Sequence, residues 1–132
     1  ARKSAWITRT QERLFAKPRI EITKGQKGLY RQRAAEIIPQ RVALYAPHMG
    51  VRYSSLRITS AKHRWGSCGP HGSLNFTWRL MLAPQEVMDY VVVHELAHIA
   101  YRGHGPRFWQ KVAATIPDFK LHKKWLRDHS II

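Results

Sequence analysis

The chain is short of cysteine, of carboxylates and of long apolar runs. Its lone cysteine, Cys68, excludes an internal disulfide and fits a reducing compartment, so a cytoplasmic location is expected. No stretch approaches the ~20 apolar residues of a membrane-spanning helix, and none is expected to cross a bilayer. The opening residues Ala1-Arg2-Lys3-Ser4-Ala5-Trp6 lack the apolar core of a secretory signal. A first residue of alanine is expected of a processed or shortened chain. There is no P-loop, no internal repeat and no low-complexity segment. Acidic residues number only 8, against 23 Lys and Arg, for a net charge of +15. Such a field attracts anions, and nucleic acid or nucleotides are the partners it implies. The charge is spread: residues 1–50 carry +8 and the remainder +7, with no run of five like charges. It is therefore not a basic tail.

What is present is one domain's worth of chain, 132 residues with 44% hydrophobic content, enough for a real core. Its organising stretch is His94-Glu95-Leu96-Ala97-His98, followed by His104. Two histidines four apart on a helix share a face, so both imidazoles can reach one ion at the zinc–nitrogen distance of about 2.0–2.1 Å. Glu95 points off that face and is placed to take a proton from water activated by the metal. Residues Pro84 to Ala100 read as the helix. Pro84 suits its start, Gln85, Glu86 and Asp89 lie near its N-terminus, and Val87, Val91, His94 and His98 form one stripe. Gly103 turns the chain after it.

A catalytic zinc takes three protein ligands and leaves one position open. One class of zincin draws the third from a glutamate on a later helix, but no Glu follows Glu95. The later carboxylates are Asp118 and Asp128, and the other later histidines are His122 and His129, read as surface residues. His104 is nearest and follows the glycine turn, so it is the expected third ligand. The spacing matches HExxHxxGxxH, yet Tyr101 stands at the glycine position and no methionine follows. The chain thus departs from the metzincin pattern.

Elsewhere, residues 1–26 read as an N-terminal arm with one short alternating segment, Arg19–Thr23. From Lys27 to about Met49, Tyr30, Ala34, Ile37, Ile38, Val42 and Tyr45 recur at helical spacing, with Arg31, Arg33, Gln40 and Arg41 on the wet side. Pro39 predicts a kink or two consecutive helices. Val51–Tyr53 and Leu56–Thr59 alternate as strands. Gly66-Ser67-Cys68-Gly69-Pro70-His71-Gly72 reads as a turn, and Ser73–Leu80 as a second strand, giving a hairpin or short antiparallel sheet before the metal helix. Gly105-Pro106 starts a helix with Phe108, Trp109, Val112, Ala113 and Ile116 inside. Asp118 is expected to cap a last, basic helix with Leu121, Trp125 and Leu126 inside and Lys120, Lys123, Lys124 and Arg127 facing out.

Arg64–Cys68, Leu74–Leu80, Ala83-Pro84, Asp89–His98, His104 and Phe108-Trp109, in that order, resemble the YgjP-like metal-dependent hydrolases, relatives of the WLM and SprT-like zinc peptidases. The resemblance covers roughly residues 27–129. It implies an α+β, zincin-like minimal metallopeptidase: a small antiparallel or mixed sheet packed on a backing helix and the HExxH helix, with C-terminal helices. Residues 27–132 would be the catalytic domain, and residues 1–26 the remnant of a strand-rich half carried by full-length relatives. It implies one Zn²⁺ held by His94, His98 and His104, with Glu95 as general base. It further implies that the strand before the metal helix lies along the cleft, where its edge could pair with an extended peptide. An oxyanion or substrate contact is sought among Tyr101, Arg64, Asn75 and Arg102. The leading expectation is hydrolysis of a peptide or protein substrate. Three others stand beside it: pyrophosphate release from UTP or another nucleoside triphosphate at the same metal, a protease activated by nucleic acid, and a non-enzymatic DNA-binding domain with structural zinc.

Overall fold

The computed structural model describes residues 22–129; the expected N-terminal arm lies almost wholly outside them. Helix α1 (Lys24–Met49) opens on a capping box: the Thr23 hydroxyl accepts from the Gln26 N–H at 3.1 Å, and the Gln26 side chain accepts from the Thr23 N–H at 2.9 Å. The helix is continuous, with Pro39 and Pro47 inside it. Proline removes one backbone donor. The buried row Ala34, Ile38, Val42, Ala46 and Met49 runs past Pro39 unbroken, and its packing holds the two halves in one helix, so of the two expected outcomes the pair of consecutive helices is excluded.

Strands β1 (Ser55–Thr59), β2 (Gly66–Cys68) and β3 (Ser73–Thr77) form one sheet in the order β1-β3-β2. β2 and β3 make a hairpin, with Ser67 opposite Asn75, while β1 runs parallel to β3, with Ile58 beside Phe76. The expectation of an antiparallel pair between residues 56–59 and 73–80 is therefore corrected. The glycine-rich segment is both turn and strand. Gly66, Ser67 and Cys68 take one edge of β3, so β1 must take the other, and the chain path makes that pairing parallel. Gly72 closes the hairpin with φ 81°, and its carbonyl accepts from the Ser54 N–H at 2.9 Å. A side chain there would be strained and would press on the backbone of residues 52–54. Residues 51–53, expected as strand, form a loop. After Thr77 the chain leaves the sheet as a 3-10 helix, Trp78–Leu82, because the Thr77 hydroxyl caps it by accepting from the Arg79 N–H. The buried Arg79 donates to the carbonyls of Ser60 and Ala61 at 2.7 and 3.2 Å.

Helix α2 (Gln85–Ala100) follows, with Pro84 at its N-cap. Residues 87–93 and 95–98 of it are all buried. A helix buried all round must be enclosed by other elements. α1 and the 3-10 helix lie on one side, with α3 (Pro106–Thr115), α4 (Phe119–Asp128) and β2 against the rest. α1 is locked to α2 by the carboxylate of Asp89, which accepts from Arg41 Nε at 2.9 Å, Arg41 Nη2 at 2.8 Å and the Tyr45 hydroxyl at 3.0 Å. This ion pair holds the Arg41 guanidinium above its usual pKa, and burial pushes the Tyr45 phenol up. Arg41, expected on the wet face, is thus a tether. On α4, Leu121 is 65% exposed where an inward position was expected, and Phe119 packs inward instead. His122, read as a surface residue, tucks beside Tyr90.

Asp89→Ala would leave two donor groups facing an empty acceptor site. We expect it to cost about 2–4 kcal/mol of stability, read as a lower urea midpoint with unchanged slope.

Candidate metal centre

His94 and His98 project from one face of α2, one turn apart. Their rings meet edge to face, with centroids 4.9 Å apart. His104 comes from the turn between α2 and α3, and its ring lies 4.7 Å from His98 and 5.3 Å from His94. Among the described residues these are the one group of three metal-ligating side chains whose donor atoms cluster, all within 4.8 Å of one another. Phe108, fully buried at the start of α3, backs all three rings.

The hydrogen bonds fix which nitrogens face the centre. His98 Nδ1 lies 3.0 Å from the Tyr101 carbonyl oxygen, which can only accept, so Nδ1 carries the proton and Nε2 keeps its lone pair. That Nε2 is 3.2 Å from His104 Nε2. Two bonds of 2.0–2.1 Å at a tetrahedral angle place donors about 3.3–3.4 Å apart, so this pair is already set for one cation. Burial pushes the His98 pKa down, favouring the neutral ring that binds metal. Glu95 is buried with one oxygen 3.2 Å from His94 Nδ1, and it has no Lys or Arg partner among the described residues. Three imidazoles beside a buried carboxylate that has no Lys or Arg partner among the described residues fit a divalent cation by ligand type.

Glu95, His94 and His104 line one hollow of about 530 Å³ with Tyr90, Trp65 and Trp109. Its other walls include Lys123 and Leu126 of α4 and Gly66 at the start of β2. Tyr90 sits one turn before His94, and their rings are 5.7 Å apart. Burial pushes its phenol up to about 12, so it stays protonated and can act as a donor at neutral pH.

A family model for the YgjP-like metallopeptidase domain matches residues 6–129. The chain belongs to the YgjP-like metallopeptidases. It is accordingly a peptidase-type hydrolase of a family that works with a divalent metal. In fold this YgjP-like domain is similar to the metallopeptidase zymogen abylysin of Pyrococcus abyssi, at 18% identity and a TM-score of 0.64, over 73% of this chain and 100% of that one. It is similar also to the metallopeptidase zymogen jannalysin of Methanocaldococcus jannaschii, at 18% identity and a TM-score of 0.55, over 64% and 90%. No curated protein matches the chain. Among the described residues no helix is long and apolar enough to cross a membrane.

The four residues considered for the oxyanion do not line this hollow. Arg102 is spent on tying the helix end to the hairpin, donating to the carbonyls of Cys68 at 2.9 Å, Gly69 at 3.2 Å and His98 at 3.3 Å. Tyr101 contributes its backbone carbonyl to His98, and its side chain is 37% exposed. Arg64 and Asn75 line an adjoining hollow that shares Gly66 with this one, and there the Asn75 amide donates to the Ser67 hydroxyl at 3.2 Å. Nor does β3 present its edge to the cleft, because it is the central strand; the edge beside Glu95 belongs to β2. Tyr90 and Val91 were findable from sequence, at four and three residues before His94 on one helix. Lys123 and Leu126 come from a distant helix and carry no such signal.

A Cβ on Gly66 would lie 3.2 Å from Glu95 Cγ and 3.1 Å from both the Asn75 carbonyl oxygen and Phe76 Cδ1. Gly66→Ala must therefore push the carboxylate or the strand aside by a few tenths of an ångström. We expect turnover to fall about ten-fold while bound metal per chain stays unchanged, measured by parallel activity and metal analysis.

Proposed function

We propose that this chain is a zinc-dependent peptidase in which His94, His98 and His104 hold one Zn²⁺ and Glu95 is the general base. The observation that carries the reading is the convergence of three imidazoles, one with its tautomer fixed, around a hollow that also holds a buried carboxylate. When bound, the cation supplies Lewis acidity, polarising a carbonyl and lowering the pKa of water to about 7. The rest is done by the chain. Glu95 accepts the proton of the attacking water and then delivers it to the leaving amine. Its burial keeps bulk water from competing for that proton. The Tyr101 carbonyl holds His98 in the tautomer that presents Nε2, and Phe108 fixes the orientation of all three rings. Trp65 and Trp109 offer apolar walls to a substrate side chain.

Three protein donors leave a fourth position free, which suits catalysis and does not suit a purely structural zinc. Membership of a peptidase family likewise favours an enzyme over a non-enzymatic DNA-binding domain. We place the catalytic unit in residues 27–132 with residues 1–26 as an arm, and the single thiol fits a cytoplasmic site of action.

The test is Glu95→Gln, which keeps the shape and removes the base. Zinc should remain at about one per chain, and casein cleavage should fall by about 10²–10⁴-fold. Retained cleavage would remove Glu95 from the mechanism. UTP belongs in the same assay: pyrophosphate release lost in Glu95→Gln, with casein untouched by the wild type, would replace the peptidase reading by nucleotide hydrolysis. His98→Ala and His104→Ala should each lower bound zinc, as measured by metal analysis after dialysis.

A further inference from the structure

Beside the metal hollow lies a second one, of about 730 Å³, between α3 and α4. The two share a wall made by Trp109 and Lys123. The Trp109 ring stacks on Phe119, with centroids 5.1 Å apart, and gives the second hollow an apolar floor. Its rim is basic. Lys120, Lys123, Lys124 and Arg127 stand at i, i+3, i+4 and i+7 of α4, one face of a helix, and all four are exposed. The local acids do not neutralise that face. Asp128 is taken by Lys124 at 2.7 Å and Arg127 at 3.7 Å, and Asp118 lies 3.4 Å from His122. Lys120 and Lys123 have no carboxylate partner among the described residues, and Lys123 Nζ rests 4.4 Å above the Trp109 ring. With one carboxylate shared between Lys124 and Arg127, the face keeps an excess of positive charge that suits an anionic occupant.

We propose that this groove is an exosite for an acidic segment of the polypeptide substrate, one that carries apolar or aromatic residues among its carboxylates. The inference rests on the peptidase reading above and names the substrate class that reading leaves open. A polypeptide bound at the metal hollow advances about 3.3–3.6 Å per extended residue, so a few residues carry it past Trp109 into the groove. Apolar side chains then meet Trp109 and Phe119, and carboxylates meet the α4 cations. The continuity of the groove with the metal hollow favours a polypeptide over nucleic acid. The sequence of residues 1–21 carries six Lys and Arg against two Glu, the same sign as the groove, so its charge does not complement the groove.

The test uses full-length Glu95→Gln protein, zinc-loaded, with fluorescein-labelled peptides that share one apolar core and differ only in flanks rich in Glu, Ser or Lys. The Glu-flanked peptide should bind about ten-fold more tightly than the Ser-flanked one, with an advantage that shrinks as salt rises. K120E/R127E, at exposed positions that line only the groove, should bring that ratio close to one, and K24E/K27E on α1 should not. In the active enzyme the same preference should appear in KM. Equal binding of Glu- and Ser-flanked peptides, or loss of the preference in K24E/K27E alone, overturns the exosite. So does a single-stranded oligonucleotide whose binding is lost in K120E/R127E while the Glu-flanked peptide is indifferent, an outcome that gives the groove to nucleic acid. Cleavage without acidic preference defeats the exosite and spares the peptidase. Groove-dependent binding of the Glu-flanked peptide without cleavage by the wild type does the reverse.

Discussion

A helix that must hold two imidazoles and a carboxylate in fixed directions has to be surrounded, and α2 is surrounded on nearly every side. Its eleven buried residues include Asp89, Glu95 and His98, three groups that are costly to take out of water. Each is answered by something specific. Asp89 receives three hydrogen bonds from α1, His98 donates to the Tyr101 carbonyl, and Glu95 faces His94 and the hollow. The backing helix is thus not only apolar packing. Its Arg41 and Tyr45 clamp the helix that carries His94 and His98, so the position of those histidines is tied to the register of α1.

The second structural demand is the return of His104. It lies outside α2, in an exposed turn; Phe108 and Trp109 pack on its ring, but the backbone of the turn still has to be held over His94 and His98. Arg102 does this from two residues away by bonding to the hairpin carbonyls of Cys68 and Gly69 and to the end of α2. The same hairpin brings Gly66 against Glu95. The small sheet therefore serves the site twice: through the turn it anchors and through the strand it lays beside Glu95. The placement explains why a residue as short as β2's glycine stands there, since any side chain would contend with the carboxylate for the same space.

Much of this was legible in the residues. The four-residue interval between His94 and His98 is a local, helical relation, and helical geometry alone puts the rings on one face. The lack of a later glutamate narrowed the third ligand to His104, which lies within the same cluster. The helical stretches were visible from their spacing, α1 included, because its buried row persists through Pro39. The sheet was read less well. Residues 66–68 carry too much glycine to look like strand, yet they pair with β3 because the turn behind them leaves no other path. Parallel pairing of β1 depends on that occupied edge, which no local pattern encodes.

Side-chain destinations were the other gap. Arg41 and His122 looked like solvent-facing polar residues, and Arg64, Asn75, Tyr101 and Arg102 looked like possible contacts to substrate. Arg41 and Arg102 instead bond to groups far away in sequence, Asp89 and the hairpin carbonyls, and a polar residue declares its type but not its partner. The sequence by itself determined that His94 and His98 share a face with Glu95 between them, since residue type and spacing along one helix suffice for that. Only the tertiary structure decided what surrounds those side chains: which strand edge meets Glu95, which arginine holds the turn, and that a second hollow beside a basic helix shares a tryptophan and a lysine with the first. Those contacts join segments separated by tens of residues, and only the closing of the core sets the distances between them.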